Sequence, residues 1–411
     1  MINLVVAGAG EGTYKKLWDA ITSKDPDLGM RLAVVIDVKE RRDLHPRMQE
    51  ILTESEAKYL RLDAERGVLT EPFAIPAENP SAVIVTPPGT HYTYFDLFTR
   101  LGLVTSVDTP AAIIMTPNES HASYAETFTA ADAVTLVEKP ATVIEHTEIR
   151  NLVKLMADRK RLFYGAEATA DGKALGFLLA SGSLGKRPVR RHLTIKPEAE
   201  DTELVQAFRD LGEPLAIRGA LLEGSGTAGT ADHRPWLLDG RQGGMIRDLA
   251  SHLFAPLFDA NVINGNVFRP EVMLGRYDTG MALGTWRPLR SWDEGETYAK
   301  MDGQFETPSR RRVPFMLEVG KYWPAHERFL DVTFERGTAH FSYEPPYPFT
   351  FSSPRGVFEI SVIGSPYALS LLDFKAFHEG RGEGHAERAL AIVKFNELMR
   401  FVGVYNIPVS A

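Results

Sequence analysis

Two residues in the second half of the chain have the spacing of an acid–base pair. Asp248 and His252 lie four positions apart in the segment GGMIRDLASH. Residues i and i+4 of a helix project from one face, and a carboxylate beside an imidazole can orient it as a general base. An ordinary surface pair, worth roughly 0.2–0.5 kcal/mol, has the same spacing. No metal site is predicted, because no third ligand is close and His233 is separated by an irregular stretch.

A lysine follows an apolar run in the first half of the chain. Val134–Val137 is followed by Glu138, Lys139 and Pro140. Ligands of open α/β sheets bind beyond the carboxyl ends of the strands, where a lysine can donate a hydrogen bond to a substrate hydroxyl or carbonyl oxygen. The alternative is a solvated lysine at the end of a strand.

A glycine turn follows the first apolar run. Ile2–Ala7 leads into Gly8, Gly10 and Gly12, and Thr13 occupies the position where a G-x-G-x-x-G motif has its third glycine. Such glycines let a pyrophosphate approach the start of a helix. The pattern predicts a dinucleotide-binding turn, and a tight turn without a ligand is the alternative.

The second apolar run ends in an acid. Asp37 follows Leu32–Ile36, where a carboxylate would accept hydrogen bonds from ribose hydroxyls and repel a 2′-phosphate. NAD is therefore the predicted cofactor. NADP remains possible, because Lys39, Arg41 and Arg42 lie just beyond and could bind a phosphate.

These residues must be positioned by two kinds of architecture. Strands and helices alternate in the first part of the chain, and mostly antiparallel strand patterns follow from about residue 267 to residue 347. This order predicts two domains, 1–142 and 143–411. The terminal helix, roughly residues 384–402, could pack on either domain.

Composition excludes several classes of protein. The 411 residues include 46 Lys and Arg against 54 Asp and Glu, so the net charge of −8 argues against binding to nucleic acid or to anionic membranes. The absence of cysteine excludes disulfides and thiolate chemistry. No apolar run is long enough to span a membrane, and the start of the chain does not read as a secretory signal. We therefore expect a cytoplasmic protein.

In combination, these segments resemble the Gfo/Idh/MocA oxidoreductases, the glucose–fructose oxidoreductase and inositol dehydrogenase group. The matching pieces are VVAGAGEG, VVIDVKE, AAIIMTPNESH, LVEKPAT, ALGFLLASGSLGK and GGMIRDLASH, together with the strands near residues 313–343. The resemblance implies a Rossmann domain with a doubly wound parallel sheet, followed by an α+β domain with an open-faced, mainly antiparallel sheet. Thr13, a second TP-x-x-x-H segment at residues 86–91 and the long 196–242 stretch depart from the family pattern.

The resemblance also implies roles for individual residues. Lys139 matches the catalytic lysine, Asp248 the substrate-orienting carboxylate and His252 the general acid/base, and all three would contact the substrate. The implied cofactor-binding residues are Gly8, Gly10, Gly12, Asp37, Thr116, Pro117, Asn118, His121 and Glu138.

The activity implied is hydride transfer between a nicotinamide and a carbinol or carbonyl carbon of a sugar, cyclic polyol or sugar derivative. Two alternatives are a reductase of a non-sugar carbonyl or imine, and a catalytically silent nucleotide-binding regulator. Trp236 could stack on a sugar or pack in an oligomer contact. The resemblance implies a homodimer or homotetramer formed through the antiparallel sheet.

Overall fold

A computed structural model describes most of the chain as two compact units. The first comprises Met1–Gly165 with Tyr367–Ala386, and the second comprises Ala166–Pro366 with Glu387–Ala411. The described residues are 2–10, 13–22, 27–37, 39, 41–63, 68–70, 84–85, 111–116, 120–130, 133–139, 162–165, 168–223, 238–241, 243–277, 286–321 and 326–405.

Eight α-helices are found among these residues. They are α1 (Trp18–Ile21), α2 (Pro46–Glu54), α3 (His121–Ala130), α4 (Leu175–Ser181), α5 (Asp201–Arg209), α6 (Ser251–Asp259), α7 (Pro366–His378) and α8 (Ala386–Tyr405). Three π-helical turns precede helices. Two of them lead directly into α1 and α6, namely Thr13–Leu17 and Ile246–Ala250, and the third, Ala168–Lys173, lies just before α4. Two short 3₁₀ turns lie at Arg41–Asp43 and Arg190–His192. Within the part of the chain that the structure describes, no helix is both long and apolar enough to cross a membrane.

The first unit is built on an eight-stranded sheet. Its strands are β1 (Ile2–Ala7), β2 (Met30–Asp37), β3 (Lys58–Asp63), β4 (Val68–Thr70), β5 (Ile84–Val85), β6 (Ala111–Ile114), β7 (Val134–Glu138) and β8 (Leu162–Gly165). Their order is β5-β4-β3-β2-β1-β6-β7-β8. The six strands from β3 to β8 in this order run parallel, and β4 and β5 add an antiparallel edge. The parallel part has the order of a dinucleotide-binding sheet, with its switch point between β1 and β6.

The second unit is built on a ten-stranded sheet. Its strands are β9 (Leu193–Lys196), β10 (Pro214–Glu223), β11 (Val267–Tyr277), β12 (Trp286–Pro288), β13 (Tyr298–Glu306), β14 (Arg312–Lys321), β15 (Glu327–Phe334), β16 (Gly337–Ser342), β17 (Phe349–Ser353) and β18 (Gly356–Val362). Their order is β12-β11-β13-β14-β10-β15-β16-β17-β18-β9. Among these strands only β10 and β14 pair in parallel, so their carboxyl ends, Glu223 and Lys321, lie side by side.

One face of this second sheet is covered by helices. Phe305 of β13 stacks on Phe315 of β14 with ring centroids 4.1 Å apart. Phe254 of α6 stacks on Phe395 of α8 at 4.7 Å, and both rings contact Phe305. Alternating exposed and buried residues along β14 fit a sheet with one apolar face. The core of the second unit therefore lies between this face and helices α6 and α8.

The predicted fold class is confirmed, and the division between the units falls later than residue 142. Strand β8 pairs in parallel with β7 and continues the first sheet to Gly165. The segment Tyr367–Ala386 also belongs to the first unit, whereas the terminal helix α8 belongs, apart from Ala386, to the second.

Candidate active site

The glycine turn after β1 requires glycine at one position. Gly8 has a φ of +100°, and a Cβ there would lie 2.6 Å from the carbonyl oxygen of Met115. Its N–H donates to the Ile36 carbonyl at 2.7 Å, which ties the turn to β2. At Gly10, no atom of the described residues, its chain neighbours apart, lies within 4 Å of a Cβ position. This is the form of a turn that a ligand's phosphates could approach.

Thr13 closes the turn with its side chain. Its hydroxyl donates to the Gly8 carbonyl at 2.6 Å, and its N–H donates to the Gly10 carbonyl at 3.0 Å. The residue is buried and opens the π-helical turn Thr13–Leu17. Threonine therefore fits where the motif has its third glycine. A glycine there allows close packing between the helix and the turn, and the hydroxyl of Thr13 instead joins the two by a hydrogen bond.

Asp37 is fixed at the carboxyl end of β2. One carboxylate oxygen accepts from the N–H of Ala9 at 2.6 Å, and the other accepts from the N–H of Lys39 at 3.0 Å. The acid is thus held against the glycine turn, and each oxygen keeps a second lone pair for another donor. Burial raises the pKa of Tyr124 to about 12, and the charge of Asp37 contributes to this rise.

His121, the first residue of α3, bonds back to Thr116, which follows β6. A ring nitrogen of His121, Nε2, lies 2.9 Å from the Thr116 carbonyl oxygen, and the Ser120 hydroxyl donates to the Thr116 hydroxyl at 2.7 Å. His121 is only 1% exposed. This buried contact helps to fix the backbone of Thr116.

Glu138 is held by a tyrosine that the sequence analysis missed. The Tyr367 hydroxyl donates to Glu138 Oε1 at 2.7 Å. Burial, followed by the nearby Glu138 charge, raises the pKa of Tyr367 well above its usual range, so the phenol remains a donor. The other carboxylate oxygen lies 3.4 Å from the backbone N–H of Lys139, which is half-buried. Tyr367 could not be identified from the sequence, because it lies 229 residues from Glu138 and nothing in the EKP motif points to it.

The first unit brings its predicted residues to one edge. The carboxyl ends of β1, β2, β6 and β7 share one side of the parallel sheet, and at these ends lie Gly8, Asp37, Thr116 and the pair Glu138–Lys139. That edge includes the switch point, where open α/β sheets bind nucleotides. Four predicted site residues lie outside the described residues: Gly12, Pro117, Asn118 and Trp236.

In the second unit, a buried acid anchors the start of the segment that carries Asp248. Glu296 Oε1 accepts from the Ile246 N–H at 3.0 Å, and its backbone carbonyl accepts from Met245 at 3.1 Å. Burial raises the pKa of the Glu296 carboxyl, and the charge of Arg400 opposes that rise. Gly244 has a φ of +95°, and a Cβ there would overlap the Glu296 carboxylate. Glycine is therefore needed at position 244, the second of the GG pair, because Glu296 packs where a side chain would lie.

Asp248 forms an ion pair with a buried lysine. Lys321 Nζ lies 2.5 Å from Asp248 Oδ2 and 4.0 Å from Glu223 Oε2. Asp248 is 9% exposed and Lys321 is 6% exposed. The parallel pairing of β10 with β14 places Glu223 beside Lys321. Sequence reasoning missed Lys321, since a lysine that ends a strand 73 residues downstream resembles any other.

His252 lies in the first turn of α6, in the same helical stretch as Asp248. Its backbone carbonyl accepts from the Tyr343 hydroxyl at 2.7 Å, and its side chain is half-buried. The structure thus places Asp248 and His252 in the second unit, and Lys139 and the predicted cofactor-binding residues in the first.

Several solved oxidoreductases have a similar fold. GnnA, a UDP-N-acetylglucosamine 3-dehydrogenase from Acidithiobacillus ferrooxidans, matches with a TM-score of 0.60 and 13% identity over 99% of both chains. A biliverdin reductase from Synechocystis, in complex with biliverdin and NADP⁺, matches with a TM-score of 0.59 and 12% identity over 98% of both chains. A levoglucosan dehydrogenase, in complex with NADH and L-sorbose, matches with a TM-score of 0.61 and 13% identity over 98% of this chain and 97% of the other. At these identities the likeness establishes the fold.

No protein-family model matches the sequence, and no curated protein matches it. The similarity to solved structures thus rests on the three-dimensional fold and not on the sequence.

Proposed function

We propose that this protein is an NAD(P)-dependent oxidoreductase that acts on a CH–OH group of a sugar, cyclic polyol or sugar derivative. The observation that carries the proposal is the edge of the first sheet, where the Gly8 turn and the Asp37 carboxylate meet at a 2.6 Å hydrogen bond from Ala9. A dinucleotide needs a close backbone approach for its pyrophosphate and an acid for its ribose. The sugar-acting enzymes of similar fold support the substrate class.

For the cofactor we propose NAD. The two backbone donors hold Asp37 in place, and its remaining lone pairs suit the 2′- and 3′-hydroxyls of a ribose. The charge disfavours a 2′-phosphate. The similar folds occur with NADH and with NADP⁺, so the preference is a property of Asp37 and is tested on that residue.

The proposed chemistry assigns one task to each side chain. A bound nicotinamide supplies the carbon that accepts or donates hydride. In the oxidative direction, His252 takes the proton of the substrate hydroxyl and Asp248 orients that hydroxyl. Lys139 donates a hydrogen bond to the same oxygen and stabilises its developing negative charge. These roles follow the family resemblance, and the ion pair with Lys321 supports an ionised Asp248.

A second candidate is a reductase of a non-sugar carbonyl or imine. It is favoured by the biliverdin reductase of similar fold, whose substrate is not a sugar. A silent regulatory protein is less favoured, because it would have no use for Lys139, Asp248 and His252 together.

We further propose a cytoplasmic homodimer or homotetramer formed through the second sheet. This assembly is the one that the family resemblance implies, and it would cover Leu215, Met273 or Val357, which lie on three separate strands of the sheet and are 48%, 46% and 58% exposed. Light scattering coupled to gel filtration measures the assembly, and a monomer at micromolar concentration contradicts this proposal.

The deciding experiment is a fluorescence titration with NADH and, separately, with NADPH. We expect micromolar binding of NADH and weaker binding of NADPH. Asp37→Ser should narrow or reverse that preference. Asp43→Ser, which alters an exposed acid in the following 3₁₀ turn, should not change it. A protein that binds neither nucleotide is not an NAD(P) enzyme.

Turnover then separates the two candidate functions. A panel of sugars and cyclic polyols is assayed with NAD⁺ at 340 nm, and a panel of ketones and imines is assayed with NADH. Activity on the first panel supports the proposal. Activity on the second alone supports the non-sugar reductase, and tight binding without turnover supports the regulator.

A further inference from the structure

Lys321 is a buried lysine whose ammonium group lies between two acids. Its Nζ is 2.5 Å from Asp248 Oδ2 and 4.0 Å from Glu223 Oε2, and the side chain is 7% exposed. A charge in such a place is retained only when it is paired, because removal from water is costly. The ion pair at 2.5 Å therefore stabilises the charged form of both Lys321 and Asp248.

The Asp248–Lys321 pair belongs to a row of alternating charges at the ends of the central strands β14, β10 and β15 of the second sheet. Glu223 Oε1 lies 3.5 Å from Arg328 Nη2, and Arg328 Nη1 lies 3.3 Å from Glu344 Oε1. Strand register sets this order, since Glu223 pairs with Lys321 across β10 and β14, and Arg328 pairs with Leu221 across β10 and β15. Glu223 therefore lies between two cations, Lys321 and Arg328, whereas Lys321 is closest to Asp248.

We propose that Lys321 is a positioning residue for the reaction, which acts by keeping Asp248 ionised and in one rotamer. This inference rests on the proposed function, in which Asp248 orients the substrate hydroxyl. The Glu296 anchor sets the backbone that carries Asp248, and Lys321 sets the direction of its carboxylate. Without the lysine, a carboxylate that is only 9% exposed loses a cation at 2.5 Å, which favours its neutral form and removes one restraint on its rotamer.

The test compares three variants of the full-length protein. Lys321→Met removes the charge and keeps most of the volume, and Lys321→Arg keeps the charge. Lys300→Met is the matched control, since Lys300 lies on the neighbouring strand β13, and its side chain is 37% exposed. We expect Lys321→Met to lower kcat/KM roughly 10- to 100-fold, chiefly through KM for the substrate. Lys321→Arg should recover most of the loss, Lys300→Met should stay within about two-fold of wild type, and NADH affinity should be unchanged throughout.

A double-mutant cycle shows whether the lysine acts through Asp248. In an Asp248→Asn background, Lys321→Met should lower kcat/KM much less than it does alone. Equal effects in both backgrounds, or a Lys321→Met variant as active as wild type, would overturn the inference and leave the oxidoreductase function intact.

Thermal unfolding supplies a readout that needs no turnover. The Tm loss of the double variant should be smaller than the summed losses of Lys321→Met and Asp248→Asn. If wild type turns over nothing on either substrate panel, the proposed function fails, and additive Tm losses would then also reject the ion pair.

Discussion

Gly244→Ala is expected to destabilise the second unit for two separable reasons. Gly244 has a φ of +95°, in the region that L side chains rarely adopt. A Cβ would also overlap the Glu296 carboxylate, which accepts the Ile246 N–H at 3.0 Å. A carboxylate on a flexible side chain can usually move aside. Glu296 cannot do so freely, because it is 0% exposed.

The expected magnitude follows from these two contributions. A non-glycine residue in an unfavourable backbone conformation costs about 1–3 kcal/mol. Loss of a hydrogen bond to a buried charged group costs about 1.5–3 kcal/mol. Gly244→Ala should therefore lower the free energy of unfolding by about 2.5–6 kcal/mol.

Gly364→Ala is the matched control. Gly364 has a φ of +98°, and no atom of the described residues lies within 4 Å of a Cβ there. It should lose only the backbone contribution of about 1–3 kcal/mol. Urea titrations followed by circular dichroism measure both variants, and the difference between them isolates the Glu296 contact.

Equal losses for Gly244→Ala and Gly364→Ala would refute this reasoning, since the backbone cost alone would then account for both. A second readout is turnover. Asp248 lies four residues after Gly244, so Gly244→Ala should also lower kcat/KM, whereas Gly364→Ala should leave it near that of wild type.

Three further predictions concern other parts of the molecule. Thr13→Val should cost about 1–3 kcal/mol and weaken NADH binding, because the Gly8 carbonyl loses a donor at 2.6 Å; calorimetry measures both, and an unchanged affinity contradicts a role for the turn in binding. Lys139→Ala should lower kcat by orders of magnitude with NADH affinity within a few-fold, and near wild-type turnover would remove the lysine from the mechanism. Hydrogen bonds from Arg287 lower the pKa of Glu294 from an ordinary 4.5 to about 2. The contribution of ionised Glu294 to the stability of the folded protein is therefore complete above pH 4.5 and is lost as the pH falls toward 2. The stability difference between wild type and Glu294→Gln should shrink over that range, and a constant difference would refute the assignment.

The features predicted from the sequence are those with local signals. The glycine turn, the acid that ends β2 and the lysine after β7 each follow a short apolar run, and the structure finds strands at those runs. The terminal helix predicted at 384–402 is found at Ala386–Tyr405. Apolar periodicity and turn chemistry are read within ten or twenty residues, which is enough to place such elements.

The contacts that hold the site could not be predicted, because they join residues distant in the chain. Tyr367 reaches Glu138 across 229 residues, Lys321 reaches Asp248 across 73 and Glu296 reaches Ile246 across 50. The parallel pairing of β10 with β14 likewise places Lys321 beside Glu223. No local pattern reports such a pairing.

Thr13 illustrates the difference between a motif and the requirement behind it. Of the two described glycines in the turn, only Gly8 is required by a steric overlap, with the Met115 carbonyl. The third position needs close contact between the helix and the turn, and a hydroxyl bonded to the Gly8 carbonyl satisfies that need. The departure from the G-x-G-x-x-G pattern is therefore not evidence of a lost site.

Each candidate acid is held by a donor of the protein itself, and this has consequences for rate. Asp37 is held by two backbone N–H groups, Glu138 by the Tyr367 hydroxyl and Asp248 by Lys321. Donors that already hold a charge in place need no reorganisation during the reaction, which is where electrostatic catalysis gains most. Because each donor lies in the same unit as its acid, the consequences of losing one should be separate. Loss of the Tyr367 hydroxyl should alter the lysine-dependent step and leave the substrate KM largely intact, whereas loss of the Lys321 charge should alter chiefly the substrate KM.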